Sequence, residues 1–446
     1  MKIYIKPEEE ALYQGLKKNY GSSYYFTGVF LPEWYKRSKM IYAAYIIFKV
    51  LNFVGSILWY YSMVKSIILR PYDFNVLTEC VHVSAILTLL LTSPFIFSIY
   101  QEELKRLLIA IGAGFYHYED TLDEETKKLL DDYREKSDKQ RKLLSKIMVT
   151  LIISVCVTHC VLRPIGDLLT NDRLFKPDDP DGFIYILPMD VWYYLHSTPT
   201  GIVIAYVHLV QLFFLGGHAI NSVTTIALVF LHSLCCEYEV TVRNKMAPIN
   251  PTFEILCITM RRLILRAEYL YEKARNGRIM DDVKTDPIFH QCLRKALRDS
   301  VRHQQALIKF GIDMKQFFLY PLLSILLLTT FLLCFGGIIF TSKGANGPLL
   351  MLYLCCMMAE LYNLFVYCYY GGKVNDLNSQ VGDELYNANW IEYGSIIKTE
   401  ILIIQSSKFI KCGLSVGGFN DVDMVTFSDV TSAAYSYFNV LNAVRN

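Results

Sequence analysis

The chain lacks the motifs of the common enzyme classes. It has no Walker loop, no His-Glu pair of the zinc-protease type and no nucleophile elbow. The segment GAGFYH, which begins at Gly112, does not fit the dinucleotide-binding fingerprint and follows no predicted strand. We therefore expect no catalytic residue, no metal site and no cofactor, and we expect that the protein is not an enzyme.

Signals of secretion are also missing. The first residues, MKIYIKPEEEALYQGLKKNY, contain neither the apolar core nor the small-residue cleavage site of a signal peptide, and no Asn-x-Ser/Thr acceptor occurs. We expect the first apolar span to direct membrane insertion. Half of the twelve cysteines lie inside or at the end of apolar runs, where free thiols behave as small hydrophobic groups, so the sequence does not support a disulfide framework.

Apolar residues, in contrast, are abundant. They make up 53% of the 446 residues, aromatic residues make up 14%, and the mean hydropathy is +0.28, which exceeds what one soluble core needs. A helix needs about 20 residues to cross a bilayer core of about 30 Å. Runs of this length predict an all-α membrane protein with seven transmembrane helices, at residues 40–68, 76–100, 147–169, 199–236, 316–340, 348–370 and 424–444.

Basic residues predict the orientation of these spans. Lys and Arg are frequent before the first span, between spans two and three, between spans four and five, and after span six, whereas the alternate connections carry few of them. Because segments rich in Lys and Arg stay in the cytoplasm, the N-terminus is expected inside and the C-terminus outside. This is the reverse of a G-protein-coupled receptor.

Two helices are expected to extend beyond the bilayer. The helical pattern of the fourth span continues past residue 236, and residues 288–333 read as one amphipathic helix that enters the membrane, with a kink expected at Pro321. About 50 residues at 1.5 Å each exceed the bilayer by about 40 Å, so we expect a helical cytoplasmic anchor layer. No internal repeat is visible, and the chain is treated as one domain.

The seventh span is unusually polar. At helical spacing, Asp429, Ser432, Ser436, Asn439 and Ala443 fall on one stripe, with steps of 3, 4, 3 and 4 residues. A carboxylate facing lipid costs about 2.5 to 3.5 kcal/mol at the bilayer centre, so this stripe must face protein or water. Two interpretations remain open, a polar seam buried against other helices and a water-lined conduit, and the conduit requires an oligomer because one stripe cannot enclose a pore.

Three histidines lie within predicted spans. His82, His159 and His208 each place a polar ring where lipid contact is costly. They therefore either join helices by hydrogen bonds or line an internal ligand cavity.

The C-terminal third resembles the insect odorant receptor family, within the arthropod seven-transmembrane chemoreceptor superfamily. The resemblance lies in ELYNLFVYCYYGGKVNDLNSQVGDELYNANWIEYG from Glu360 and in GGFNDVDMVTFSDVTSAAYSYFNVL from Gly417. The sequence lacks the long insertion and the ending of the obligate co-receptor, and it lacks the Thr-Tyr and Gln-Phe ending of gustatory relatives. It thus looks like an odorant-tuning subunit.

The resemblance implies a subunit of a ligand-gated, nonselective cation channel. Four subunits would surround a central pore in the plasma membrane of sensory dendrites, either as a heterotetramer with the co-receptor or as a homotetramer. The last helix would be split into a cytoplasmic part, about 376–408, and a pore-lining part with its hydrophobic gate at Val440, flanked by Asn439 and Ser436. The implied subunit begins with a cytoplasmic N-terminal segment (1–39) and the first four spans (40–236). An anchor layer (237–315) and two further spans (316–370) follow. A cytoplasmic part with its turn (371–422) then precedes the pore helix (423–446).

The resemblance also implies an odorant pocket in the outer half of the membrane, among spans two, three, four and six. A small volatile would bind there by apolar burial with one or two polar contacts. Matched by depth and helix face, the candidate odorant-binding residues are Val81, Ala85, Thr88, Ser154, Thr158, Ile204, His208, Gln211, Leu352 and Cys355.

Other membrane protein classes remain alternatives. A gustatory-type channel of the same superfamily, a receptor of the G-protein-coupled type and a transporter would each use apolar spans. An extracellular N-terminus would favour the G-protein-coupled type, and nothing in the sequence identifies the odorant.

Overall fold

A computed structural model gives the fold of the chain. It describes residues 5–20, 31–118, 122–170, 183–184, 191–195, 198–238, 259–260, 262–276, 283–342, 347–387 and 390–445.

Helices dominate these residues. In chain order they are α1 (Glu10–Tyr20), α2 (Glu33–Lys36), α3 (Lys39–Leu69), α4 (Phe74–Ile99), α5 (Gln101–Ala113), α6 (Glu124–Val157), α7 (Arg163–Thr170), α8 (Pro199–Tyr238), α9 (Leu263–Ala274), α10 (Pro287–Phe340), α11 (Gly347–Asn387), α12 (Gly394–Ser407) and α13 (Met424–Arg445). A π-helical turn, Thr158–Leu162, joins α6 to α7. Two short antiparallel hairpins pair β1 (Phe183–Ile184) with β2 (Val191–Trp192) and β3 (Ser415–Val416) with β4 (Asn420–Asp421).

Long apolar helices form the membrane part. Within the described residues, four helical segments are long and apolar enough to cross a bilayer, namely Lys39–Leu69, Glu124–Gly166, Pro287–Phe340 and Gly347–Asp383. Shorter apolar stretches, Val76–Thr88, Pro199–Phe214 and Ser222–Glu237, lie in α4 and α8. These six helical regions coincide with the first six predicted spans, while α13, at the seventh, is the polar one.

Several helices begin at an acidic cap. Asp123 accepts a hydrogen bond from the Thr126 N–H at the start of α6, and Asp286 accepts one from the Ile288 N–H at the start of α10. The Asp423 Oδ1 accepts from the Val425 and Thr426 N–H groups, at 2.9 and 3.0 Å, and so starts α13. Because the first turn of a helix leaves its N–H groups without partners, these side chains fix where each helix starts.

The long helices build a layer beyond the bilayer. The α10 helix has 54 residues and continues through Pro321, so one long helix forms as the sequence pattern predicts. The kink expected at Pro321 stays a prediction. The α6 helix begins at Glu124, well before the predicted span at 147. A large core cluster joins α5, α8, α9, α10, α11 and α12 in this region. Parts of the predicted anchor segment, 239–258, 261 and 277–282, lie outside the described residues.

Two predicted boundaries differ from the structure. Residues 376–387 were expected in the cytoplasmic part of the last helix, but they continue α11. The cytoplasmic part of the last helix is therefore α12 alone. The reason is that Val374, Leu377 and Val381 repeat at helical spacing and are buried, which extends the apolar face of α11. The third span is also not one α-helix, since α6 ends at Val157 and the π-helical turn follows.

Glycine allows α1 and α5 to approach each other closely. A Cβ added at Gly112 would lie 1.7 Å from the Ala11 carbonyl oxygen, and one at Gly15 would lie 2.0 Å from that of Leu108. No larger residue fits at either position, so the GAGFYH segment has a packing role at this contact.

Candidate functional site

A cavity lies between four membrane helices, α4, α6, α8 and α11. The space free of protein atoms there is about 570 Å³, including open solvent at its mouth. Its lining consists of His82, Ile86, Met148, Ile152, Val155, Cys156, Phe213, Gly217, Cys356, Ala359 and Glu360. These helices are spans two, three, four and six, the set in which the odorant pocket is expected.

Most of this lining is apolar, and it includes one glutamate and one histidine. The Glu360 Oε2 accepts a hydrogen bond from the Thr329 hydroxyl of α10 at 3.1 Å. The His82 side chain is buried, and its ring packs edge-on against Tyr353 with ring centroids 4.9 Å apart. An apolar cavity with a few polar groups is the usual form of a small-molecule site.

A second, smaller cavity lies beside the first, between α3, α4 and α8. The space free of protein atoms there is about 270 Å³, including open solvent at its mouth, and its lining includes Trp59, Met63 and Leu209. Ile86 and Phe213 line both cavities and therefore form the wall between them.

None of the ten predicted odorant-binding residues lines the larger cavity. On α4 the lining residues are His82 and Ile86, one position after the predicted Val81 and Ala85. A shift of one residue turns a side chain by about 100° around a helix, because a turn has 3.6 residues. On α4 the predicted and lining residues thus lie at nearly the same depth on different faces. The ten odorant-binding residues stay a prediction.

The predicted residues of α4 and α6 instead make contacts within and between helices. The Thr88 hydroxyl donates to the Ser84 carbonyl at 2.8 Å and contacts the Tyr60 hydroxyl of α3. The Ser154 hydroxyl donates to the Thr150 carbonyl at 2.9 Å, and the Thr158 hydroxyl donates to the Ser154 carbonyl at 2.8 Å. Val81 is half-buried, and Ala85 is buried.

The predicted residues of α8 and α11 differ in their burial and contacts. Ile204 and Gln211 are exposed on the outside of the bundle, whereas Leu352 is buried and Cys355 is half-buried. His208 lies in an aromatic group, with its Nδ1 at 3.0 Å from the Tyr193 hydroxyl and its ring centroid 5.6 Å from that of Trp59. His208 therefore joins helix α8 to its neighbours.

The three span histidines have different surroundings. His82 lines the cavity, and His208 forms the hydrogen bond described above. His159 lies on the π-helical turn, with its ring centroid 3.8 Å from that of Phe213. His159 thus contacts the wall residue without belonging to the lining.

The polar stripe of α13 lies on the outside of the subunit. Asp429, Ser432, Ser436, Asn439 and Ala443 are all exposed. Val440, beside the stripe, is 62% exposed. Ala434, on the opposite side of the helix, is 5% exposed. The stripe is thus not a seam buried within its own subunit.

The opposite face of α13 packs against α10 and α11. Phe427 lies near Phe365 of α11, with ring centroids 6.4 Å apart, and a Cβ added at Gly337 of α10 would lie 3.1 Å from the Phe438 ring. The β3–β4 hairpin precedes α13, and its turn uses Gly417 and Gly418 at positive φ. Packing on one side and a hairpin at one end hold the polar stripe outward.

Metal ligation has no support among the described residues, since no three His, Cys, Asp or Glu side chains there come together in a group that could hold an ion. The segment HSLCCE, His232–Glu237, contains His, Cys and Glu side chains of the kind that bind metals, and its His232 packs against the Tyr370 ring at 5.6 Å between centroids.

The sequence interpretation missed Glu360 as a cavity residue. Its signal was an acidic side chain in the middle of the sixth span, a position where a carboxyl must find protein or water. The same signal marks Glu79 in the second span, which pairs with Arg163.

Comparisons with known proteins point to one family. A family model described as 7tm odorant receptor matches residues 73–435. Among curated proteins of Drosophila melanogaster, putative odorant receptor 85d is 27% identical over 150 residues, or 33% of this chain and 36% of that protein. Odorant receptor 85b is 22% identical over 194 residues, or 43% and 47%. The chain therefore spans less than half the length of these two relatives.

Solved structures share the fold. The insect olfactory receptor OR5 from Machilis hrabei in complex with eugenol has a TM-score of 0.69 and 11% identity, covering 98% of both chains. The structure of OR5 described without that ligand has a TM-score of 0.67, also at 11% identity, over 94% of this chain and 95% of that one. At such identity the likeness concerns the fold alone.

Proposed function

The chain belongs to the 7tm odorant receptor family, and from this membership we propose that it is an odorant-gated cation channel subunit. It is a multi-pass, all-α membrane protein of the insect chemoreceptor type, as the resemblance implies. In the proposal, a small volatile binds in the cavity between α4, α6, α8 and α11, and ions pass along α13.

The outward polar stripe of α13 carries this proposal. Asp429 and Asn439 lie on the exposed side of the helix that the sequence predicts as the seventh span, where contact with lipid would be unfavourable. Further copies around an axis would put the same stripe of every copy around one water-filled space, which is how a closed oligomer encloses a pore. Four subunits, as the resemblance implies, would surround the space with four stripes.

Val440 is the proposed gate. It is an apolar side chain exposed beside the polar stripe, one residue after Asn439. A ring of apolar side chains stops ion flow by excluding water, and a small outward movement of the helices would wet the ring.

Helix α11 is the proposed connection between ligand and gate. Cys356, Ala359 and Glu360 line the cavity, and Phe365, about one turn further along α11, contacts Phe427 of α13. A ligand shifts the channel towards its open state only by binding that state more tightly than the closed one. Movement of α11 towards or away from a bound ligand would provide this difference.

The ligand and the partner subunit follow from the family by analogy. OR5 was solved with eugenol, and a compact volatile of that kind would suit the apolar lining here. Burial of such a ligand contributes about 25 cal/mol per Å² of apolar surface. The partner is proposed to be the odorant co-receptor subunit in a heterotetramer, or further copies of this chain in a homotetramer.

Electrical recording tests the proposal. Cells that express the chain with the co-receptor should pass inward current when a member of an odorant panel is added, and G-protein inhibitors should leave this current intact. Recording the same panel without the co-receptor distinguishes the homomer from the heteromer. Labelling of an N-terminal epitope on intact cells would contradict the proposed orientation and favour a receptor of the G-protein-coupled type.

A further inference from the structure

The carboxyl group of Glu360 is an unusual component of a cavity that is proposed to bind volatiles. It lies in the middle of a membrane helix, among Ile86, Ile152 and Phe213 in the same lining. A carboxyl group without a hydrogen-bonding or charged partner is costly in apolar surroundings. A ligand that supplies a hydrogen bond or a charge to the Glu360 carboxyl group would therefore be favoured in this cavity.

The Glu360 carboxyl group uses only part of its hydrogen-bonding capacity within the subunit. The Thr329 hydroxyl holds Oε2 at 3.1 Å and so fixes the side chain from the α10 side. Across the described residues Glu360 forms no ion pair, since the buried arginine of this region, Arg163, pairs with Glu79. The cavity thus presents a carboxyl group without a cation.

His82 adds a second polar group to the lining, from α4. Its side chain is 4% exposed, it lines the same cavity, and its Nδ1 has no hydrogen-bond partner within the described part of the chain. As a neutral imidazole, His82 can accept a hydrogen bond through the nitrogen that carries no proton. Two acceptors, from α4 and α11, therefore border a space whose other walls are apolar.

We propose that this cavity selects small amines, with the ammonium head at the Glu360 carboxyl group, the apolar body against Ile86, Ile152 and Phe213, and His82 as a further polar group of the same lining. A neutral amine takes the proton of a protonated Glu360, breaking its O–H bond and forming an N–H bond, whereas an ammonium ion binds the carboxylate directly. Both routes end in the same ammonium–carboxylate pair. This inference rests on the proposed function, because it names the ligand class of that same cavity.

A matched set of ligands tests it. Benzylamine, benzyl alcohol and toluene share one aromatic body and differ in the head group. Binding of each is measured by the shift in the unfolding midpoint of the purified full chain in detergent, and channel opening is measured separately as current. The unmodified chain should bind benzylamine about tenfold or more tightly than benzyl alcohol, because a charge-assisted hydrogen bond exceeds a neutral one.

Three variants locate the effect. Glu360→Gln keeps the shape of the side chain and should remove the preference for benzylamine while leaving benzyl alcohol binding within about threefold. Ala359→Leu fills the cavity and should weaken all three ligands together. Glu103→Gln, on the exposed surface of α5, is the matched control and should change neither binding nor preference.

The outcomes separate the two proposals. Equal binding of benzylamine and benzyl alcohol to the unmodified chain overturns the amine inference, and this comparison needs no variant. An unchanged preference in Glu360→Gln overturns it as well. Amine binding that is lost in Glu360→Gln, with no current under any condition, supports the amine site and contradicts the channel function.

Discussion

Glu79 and Arg163 form a buried ion pair between two membrane helices. The Arg163 Nη2 lies 2.8 Å from the Glu79 Oε1, and the two side chains are 2% and 6% exposed. Glu79 belongs to α4, and Arg163 is the first residue of α7, directly after the π-helical turn. The pair ties the end of the third span to the second, next to the helix faces that form the cavity.

We expect loss of one partner to destabilise the fold strongly. Arg163→Met leaves the Glu79 carboxylate buried without its cation, and breaking a buried pair costs about 3 to 5 kcal/mol. Thermal unfolding of the protein in detergent measures the effect. The double variant Glu79→Leu with Arg163→Met should recover most of the loss, because it removes both charges.

The exposed pair Glu33–Lys36 is the matched control. Lys36→Met should change stability by less than about 1 kcal/mol, since surface pairs contribute little. Equal effects of Lys36→Met and Arg163→Met would refute a special role of burial in the Glu79–Arg163 pair.

Hydrophobic patterning predicted where the helices lie in the chain better than which side of each helix faces its neighbours. Long apolar runs need about 20 residues each, so six spans and the polar seventh could be read from the sequence. The stripe through Asp429 and Asn439 was also predictable, because helical spacing alone puts these residues on one side. That this side points away from its own subunit depends on packing, and α13 meets α10 and α11 through Phe427 and Phe438.

The cavity faces could not be predicted in this way. A span surrounded by helices and lipid is apolar on nearly all sides, so its sequence gives a weak signal for the side that faces a cavity. Val81 was chosen where His82 lines the cavity, a difference of one residue and about 100°. A polar residue in a span, such as His82 or Glu360, is the better signal, because lipid contact is costly for it.

Acid should weaken the start of α10. Three hydrogen bonds lower the pKa of Asp286, namely those from the Ile288 N–H, from the Tyr271 hydroxyl and from the Arg275 guanidinium. A carboxyl group whose pKa is lower in the folded state stabilises the fold above its unfolded pKa, about 3.9, and loses this contribution as pH falls through the folded pKa. Asp286→Asn should therefore lower the unfolding midpoint at pH 7, and the difference from the unmodified protein should shrink below about pH 4.

Unfolding midpoints measured in detergent from pH 7 to pH 3 check this prediction. Glu103→Gln is the control, and its midpoint should follow that of the unmodified protein at every pH. A constant difference between Asp286→Asn and the unmodified chain from pH 7 to pH 3 would rule out a contribution from the carboxylate charge.

Asp429 is expected to attract cations to the pore. It is the one acidic residue of the polar stripe, and every subunit of a symmetric channel would add its carboxylate at the same level. Asp429→Asn should reduce single-channel cation conductance by about twofold or more, because a ring of negative charge raises the local cation concentration. Asp429→Glu keeps the charge and should conserve conductance. If both variants conduct like the unmodified channel, Asp429 does not face the ion path.

Val440 provides the test of the gate. Its side chain is 62% exposed in the subunit, so substitution should leave folding unchanged within about 0.5 kcal/mol. Val440→Ser places a hydroxyl where the proposed apolar ring excludes water, which favours wetting of the closed pore. The current without ligand should therefore rise severalfold while surface expression stays the same.

Val425 is the matched control, since it lies at the other end of α13 and is 66% exposed. Val425→Ser should leave the resting current unchanged, and a similar rise in both variants would indicate general loosening of α13 instead of a gate at Val440.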